Sequence, residues 1–266
     1  MRLATWNVNS VRARLGRLTA WLERSDVDVV AIQETKATDS NFPSEPLAAL
    51  GYEVAHHGFS QWNGVAVLSR VGLGEVRRGF DGLPGFGEPL LVEARAVGAV
   101  CGGVRVWSVY GPNGRAVGDP HFDYKLNWLG ALRDHVAAEL TADPGGQLAV
   151  CGDFNIAPTD DDVWSVEYYR NLTHTTPAER SAFTALLDAG LVDVARPFVP
   201  GPGEYTYWDY TQLAFPRRHG MRIDFALASP ALADRVTGAR FDRDERKGKL
   251  PSDHAPVVVD LGEAGA

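Results

Sequence analysis

SDHAPVVVDL, residues 252–261, sets a carboxylate and an imidazole side by side at the mouth of an apolar run. VVVDL has the length and composition of a buried strand. It follows the charged loop RFDRDERKGKLP at 240–251, so Asp253 and His254 stand where loop turns into strand. Such a pair is either a surface turn or half of a catalytic centre. The pattern repeats along the chain. Asn7 and Asn9 follow RLATW, Glu34 follows DVVAIQ, Asp153 and Asn155 follow QLAVCG, and Asp224 lies inside MRIDFALA. Asp224 stands between Ile223 and Phe225, so its side chain faces away from theirs. A carboxylate inside an apolar strand needs a partner. Strand ends that converge on one rim are how a layered fold gathers a site from distant sequence.

Working outward, the chain alternates short strand-like runs with a few helices. RLATWNV, VDVVAIQE, NGVAVLSR, QLAVCGDFN, MRIDFALAS and APVVVDL read as strands. PLLVEARAVG (89–98) and VRVWSVYGPN (104–113) read as strands joined by a hairpin near GAVCGG. RARLGRLTAWLERSD has helical spacing, with Leu15, Leu18 and Leu22 on one face. A second helix is expected over 123–146, stopped by Pro144 and glycines. A third is expected over 178–190, capped near Thr176 with Pro177 in its first turn. No repeat or low-complexity linker interrupts this rhythm. One domain over residues 1–266, with two packed sheets and outer helices, accommodates it.

Composition narrows the function. A net charge of -8 and a pI near 5.4 argue against a general nucleic-acid coat, though not against an enzyme with local basic loops. Cys101 and Cys151 each lie in an apolar stretch beside glycine, which suits buried thiols in a reduced compartment. MRLATWNVNS has no long apolar segment, and the longest apolar runs are of strand length. The expectation is a soluble cytoplasmic protein with no membrane contact and no obligate protein partner.

Glu34, Asp153 and Asp253, with Asn7, Asn9 and Asn155, make an oxygen-rich set. Hard oxygens favour Mg²⁺ or Mn²⁺. The histidines lack zinc spacing, and no HExxH or CxxC is present. The absence of a GxSxG elbow, a Walker A motif and a dinucleotide fingerprint makes serine-hydrolase and nucleotide-fuelled readings poor. His254 beside an acidic set suggests acid–base or electrostatic work on a phosphoryl group.

WNVNS, IQETK, NGVAVLSR, YGPNG, GDFNIAPTD, YTYWDY, MRIDF and SDHAP follow one another from Met1 to about Leu261. In that order they resemble the exodeoxyribonuclease III and abasic-site endonuclease family of the endonuclease/exonuclease/phosphatase superfamily. The resemblance implies an α/β fold, a four-layer sandwich of two central mixed β-sheets flanked by helices, with the site at one edge. It implies metal-dependent hydrolysis of DNA phosphodiesters in base excision repair. The expected substrate is double-stranded DNA containing abasic sites or recessed 3′ ends, cut 5′ of the abasic site or trimmed from 3′ to 5′.

By the same resemblance, Glu34 is the principal metal carboxylate and Asp253 a second one. Asn9 and Asn7 hold that corner. Asp153 activates water, and His254, paired with Asp224, contacts the scissile phosphate. Asn155 and Tyr110 reach the phosphate, Asn113 supports their loop, and Lys36 and Lys125 are phosphate-side cations. Tyr207 and Met221 form an apolar slot for a sugar without its base; Met221 departs from the leucine or tryptophan of relatives. Basic loops SVRAR (10–14), RRGF (77–80), FPRRHGMR (215–222) and RKGK (246–249) are expected to track the DNA backbone. Two competing readings are a phosphodiesterase for lipid or inositol headgroups, and a DNA-binding relative with a dead site. The YTYWDY loop speaks against the first and the intact polar set against the second.

Overall fold

The computed structural model describes residues 1–263. Twelve strands are found among them. They are β1 (Arg2–Asn7), β2 (Val29–Gln33), β3 (Glu53–His57), β4 (Val65–Ser69), β5 (Gly74–Arg78) and β6 (Ala96–Cys101). Then follow β7 (Val104–Tyr110), β8 (Leu148–Asp153), β9 (Val192–Asp193), β10 (Asp224–Ala228), β11 (Val236–Phe241) and β12 (Val257–Leu261). They form two six-stranded sheets, ordered β11-β12-β1-β2-β4-β3 and β5-β6-β7-β8-β10-β9. Each sheet holds one parallel pair, β1–β2 in the first and β7–β8 in the second. A parallel pair needs a crossover. The helices Val11–Ser25 and Pro120–Ala142 supply the two crossovers.

Strand alternation divides each sheet between two cores. Leu3, Val29, Val67, Val106, Ala149 and Val259 face the space between the sheets. Ala4, Trp6, Val30 and Ile32 face outward onto Leu18, Trp21 and Leu22 of the first helix. Trp107, Val150 and Phe225 face outward onto Trp128, Leu132 and Phe183 of the helices on the other side. The layers are therefore helix, sheet, sheet, helix, the four-layer α/β sandwich with two mixed sheets. Cys101 and Cys151 are free, buried thiols in the central layer.

Several boundaries differ from the sequence expectation. The long helix begins at Pro120, not 123, because Asp119 caps it by accepting from the His121 amide at 2.7 Å, with proline in the first turn. The expected strand 89–98 starts only at Ala96, and Leu90, Leu91 and Val92 are exposed loop. Strands β3, β5 and β11 escaped the reading: each carries charged or small residues in place of an apolar run, and β5 is exposed along its whole length. No helix among the described residues is long and apolar enough to cross a membrane.

Candidate active site

The layer between the sheets changes character along the strands. In β1 the residues facing it run Leu3, Thr5, Asn7; in β2, Val29, Ala31, Gln33; in β8, Ala149, Cys151, Asp153. β10 runs the other way, with Asp224 at its start and Ala226 and Ala228 deeper. Midway, Thr5 Oγ1 donates to Gln33 Oε1 at 3.1 Å, and Gln33 Nε2 donates across the sheets to Ser108 Oγ at 3.0 Å. The apolar filling thus becomes a hydrogen-bonded layer and then a polar rim. SDHAP closes that rim. Ser252 Oγ donates to the Asn7 carbonyl at 2.6 Å, and Trp6 Nε1 donates to the His254 carbonyl at 3.1 Å.

β8 and β10 pair with Asp153 directly opposite Asp224. Like charges so placed repel. His254 resolves the conflict: Nδ1 lies 2.8 Å from Asp224 Oδ2, and Nε2 lies 3.8 Å from Asp153 Oδ2. Burial works against a charged ring, but Asp224 and Asp153 outweigh it and hold the His254 pKa up at about 10. The ring is an imidazolium at neutral pH. Asp153 is pushed up to about 7, chiefly by burial and further by Asp224 and Glu34, while His254 pulls it down. One of its oxygens accepts from the Asn155 amide at 2.9 Å. A carboxyl poised near 7 exchanges protons readily at working pH.

Across the rim, Asn7 Nδ2 donates to both Glu34 Oε1 (2.8 Å) and Asp153 Oδ2 (3.0 Å), joining the two sheets. Lys36 Nζ lies 2.9 Å from Glu34 Oε2 and also donates to Asn9 Oδ1. Asn9 Nδ2 donates to Asp253 Oδ1 at 3.0 Å. Burial raises the Glu34 pKa, yet Lys36 and Asn7 more than cancel this, so it stays ionised below its ordinary value. Glu34, Asp153 and His254 each offer one atom within 4.8 Å of the others. With His254 protonated, oxygen donors dominate that group, which fits a hard divalent cation. Positive charge is already the partner of Glu34, in the form of Lys36. Asp253 lies outside this group of three and reaches it through Asn9 and Lys36.

Burial and the nearby Glu34 push the Tyr110 phenol well above its ordinary pKa, so its hydroxyl keeps its proton. Asn155 Nδ2 donates to the Gly111 carbonyl at 2.9 Å. Asn113 Nδ2 approaches Asn155 Oδ1 at 3.4 Å, so the two asparagines meet as expected. Tyr207 pairs through its backbone with both Met221 and His254, and its ring centroid lies 4.9 Å from the His254 ring. Met221 packs with Ala157, Val163 and Ile223 beneath Tyr207. Tyr207 and Met221 thereby form one wall of a cleft of about 310 Å³, shared with Trp164, Tyr169, His174 and Arg115.

Three cations expected at DNA face inward instead. Lys125 is fully buried: Nζ donates to the Asn155 carbonyl at 2.6 Å and the Asn113 carbonyl at 3.3 Å, and pairs with Glu179. It lies under the phosphate-side loop and cannot touch a ligand above it. Arg222 pairs with Asp162 (2.6 Å) and Asp193 (2.5 Å), and Arg246 donates to the Ser252 and Trp208 carbonyls. Lys247, Lys249, Arg217 and Arg218 of the same loops remain exposed. His174 was not anticipated. Its Nε2 lies 3.1 Å from Asn155 Oδ1, and Thr173 meets its Nδ1 at 2.7 Å. A lone histidine in the polar loop NLTHTTP carries no spacing signal that would have pointed to it.

Residues 4–254 match the model of the Endonuclease/Exonuclease/phosphatase family. The chain is 31 % identical to exodeoxyribonuclease III of Haemophilus influenzae, over 98 % of this chain and all of that one. Among solved structures, a 3′–5′ exonuclease from Neisseria meningitidis superposes with a TM-score of 0.93 at 38 % identity, covering 99 % of this chain and all of the other. An AP endonuclease from Archaeoglobus fulgidus superposes with a TM-score of 0.91 at 34 % identity, covering 98 % and 99 %. With its polar rim, its two mixed sheets and these matches along almost the whole length, the chain belongs to the exodeoxyribonuclease III and AP endonuclease family within the Endonuclease/Exonuclease/phosphatase superfamily.

Proposed function

We propose that the cleft hydrolyses phosphoester bonds of duplex DNA beside a 3′-terminal sugar or a sugar that has lost its base. The observation that carries this reading is the pairing of Asp153 with His254. A carboxyl near neutrality and an imidazolium face one another across a gap of 3.8 Å, each tuned by Asp224. Glu34, with Asn7 and Asn9 around it, would hold Mg²⁺ or Mn²⁺. When bound, that ion polarises a phosphoryl oxygen and neutralises charge on the leaving 3′-oxygen.

The chain's own groups do the rest. Asp153 accepts a proton from the attacking water. Asp224 fixes the His254 tautomer by taking Nδ1–H, which aims Nε2–H at a phosphate oxygen. Tyr110, kept neutral, donates from the other side, and the Asn155 amide is held over the same spot by Gly111. The Tyr207–Met221 wall accepts deoxyribose by apolar contact, and an intact nucleotide is excluded from it by size.

Processing of 3′ ends is the leading activity and incision 5′ of an abasic site the second. Two Neisseria structures, titled a 3′–5′ exonuclease and a 3′ phosphatase bound to product DNA, share 38 % and 37 % identity with the chain; the AP endonuclease shares 34 %. The test compares duplexes carrying a recessed 3′-hydroxyl, a 3′-phosphate or an internal abasic analogue, with end-group analysis of products. Release of nucleotides or phosphate from 3′ ends, at a higher rate than abasic incision, is expected. An unsaturated aldehyde end would mean lyase chemistry. Inert DNA beside turnover of inositol phosphates or a phospholipid would move the chain to the headgroup reading.

A further inference from the structure

Glu34 and Lys36 both have left-handed backbones, with φ of 49° and 50°. That conformation is uncommon for residues bearing a Cβ, so the surroundings must impose it. Thr35 lies between them, fully buried. Its amide donates to the Gly64 carbonyl at 3.0 Å, and the Lys36 amide donates to the Asn63 carbonyl at 2.9 Å. Its side chain enters a second arrangement. Thr35 Oγ1 is 2.8 Å from His56 Nε2, and His56 Nδ1 is 2.8 Å from Asp39 Oδ1. Asp39 Oδ1 also accepts from the Gly58 amide at 2.9 Å, and Phe42 stacks on the ring with centroids 4.2 Å apart. The packing leaves no slack: a Cβ on Gly64 would come within 2.1 Å of Thr35 Oγ1.

This hydroxyl–imidazole–carboxylate order resembles a nucleophilic triad, but the hydroxyl is sealed from solvent. It has no route to a substrate. Asp39 instead takes Nδ1–H, which leaves the Nε2 lone pair to accept the Thr35 hydroxyl proton. Burial keeps the ring neutral and suited to that role, lowering its pKa to about 4. The direction of each hydrogen bond is then fixed from Asp39 to Thr35. We propose that Asp39, His56 and Thr35 are positioning residues that lock the strained turn at 34–36 and so aim the Glu34 carboxylate at a divalent cation. The inference rests on the reading of Glu34 as the cation's carboxylate.

The test is Mn²⁺ binding to the DNA-free protein, measured by calorimetry and by the loss of free-ion resonance. Asp39 is half exposed, so its substitution spares the core. Asp39→Ala should weaken Mn²⁺ binding roughly 10-fold or more, the scale of outer hydrogen-bond partners at metal sites. Asp39→Asn keeps an acceptor for Nδ1–H and should stay near the parent. Thr35→Val should match Asp39→Ala, and Thr35→Ser, which keeps the hydroxyl, should match the parent. KM for DNA should not change in any of them. Parental Mn²⁺ affinity in Asp39→Ala and Thr35→Val, with Glu34→Gln unable to bind, overturns the positioning role alone. Parental affinity in Glu34→Gln overturns the Glu34 assignment and the relay's role with it.

Discussion

His254 and His174 border the same cleft from opposite sides and hold opposite charge states. His254 has a carboxylate at each nitrogen and stays protonated to about pH 10. His174 has an asparagine and a threonine as partners; its enclosure and the Lys125 ammonium push its pKa down to about 3. Enclosure by itself discharges an imidazole. Only placed carboxylates reverse that, and in this fold they come from two strands of one sheet. One side of the cleft is therefore built to carry charge and move protons, and the other to orient neutral amides.

The strongest way to break this contrast is to remove the carboxylate that His254 faces. Asp153→Asn keeps the shape and removes the proton acceptor. The single-turnover rate should fall on the order of 10²–10⁴-fold, while the fold is retained because a buried like-charge pair is relieved. A rate within tenfold of the parent would show that Asp153 is not the base.

On the neutral side, the equivalent insult acts on stability. Lys125 and Glu179 are both fully buried, and Lys125 is tied to the carbonyls of Asn113 and Asn155. Lys125→Met leaves Glu179 without its cation, and chemical denaturation should show a loss of about 3–5 kcal/mol. Unchanged stability with a large rise in KM would restore Lys125 as a direct phosphate contact.

How far the two sides could be read beforehand differs for a physical reason. Strand mouths were legible because an apolar run ending in Asn7, Glu34, Asp153 or His254 is an anomaly that sequence shows. His174 and Lys125 lie on a loop and a helix, where polar residues are ordinary, so nothing marked the first and the direction of the second was misread. A cation's type says nothing about which way it points, and Arg222 and Arg246 turned inward for the same reason. The four layers were legible from the buried strands alone. The edge strands β5 and β11 were not, because exposed or half-exposed strands need no apolar alternation.

The contrast sharpens with pH. Hydrolysis needs Asp153 deprotonated and His254 protonated, so the rate should rise up to about pH 7 and fall towards about pH 10. Asp224→Asn removes the largest influence holding His254 up. The rate should fall roughly 10–100-fold, and the alkaline limb should move to lower pH by more than one unit. The stability sign follows. His254 is raised in the folded state, so its contribution is full below its unfolded pKa of about 6.5 and is lost as pH climbs towards 10. An alkaline limb that stays in place in Asp224→Asn would detach it from His254.

The smallest effect belongs to His174. Removing it costs Asn155 one partner, the 3.1 Å contact at Oδ1. Asn155 keeps its bond to the Gly111 carbonyl at 2.9 Å, its amide on Asp153 at 2.9 Å and Lys125 on its carbonyl at 2.6 Å. Asn113 can still approach the vacated oxygen, from 3.4 Å. The loss is that of one neutral hydrogen bond, about 1 kcal/mol, or roughly fivefold in rate. A ring that is neutral throughout the working range contributes to neither limb, so His174→Ala should leave both where they are. The measurement is the same pH series used for Asp224→Asn. A shifted limb, or a fall beyond about 100-fold, would mean that His174 belongs to the charged side of the cleft and that the division between the two histidines is wrong.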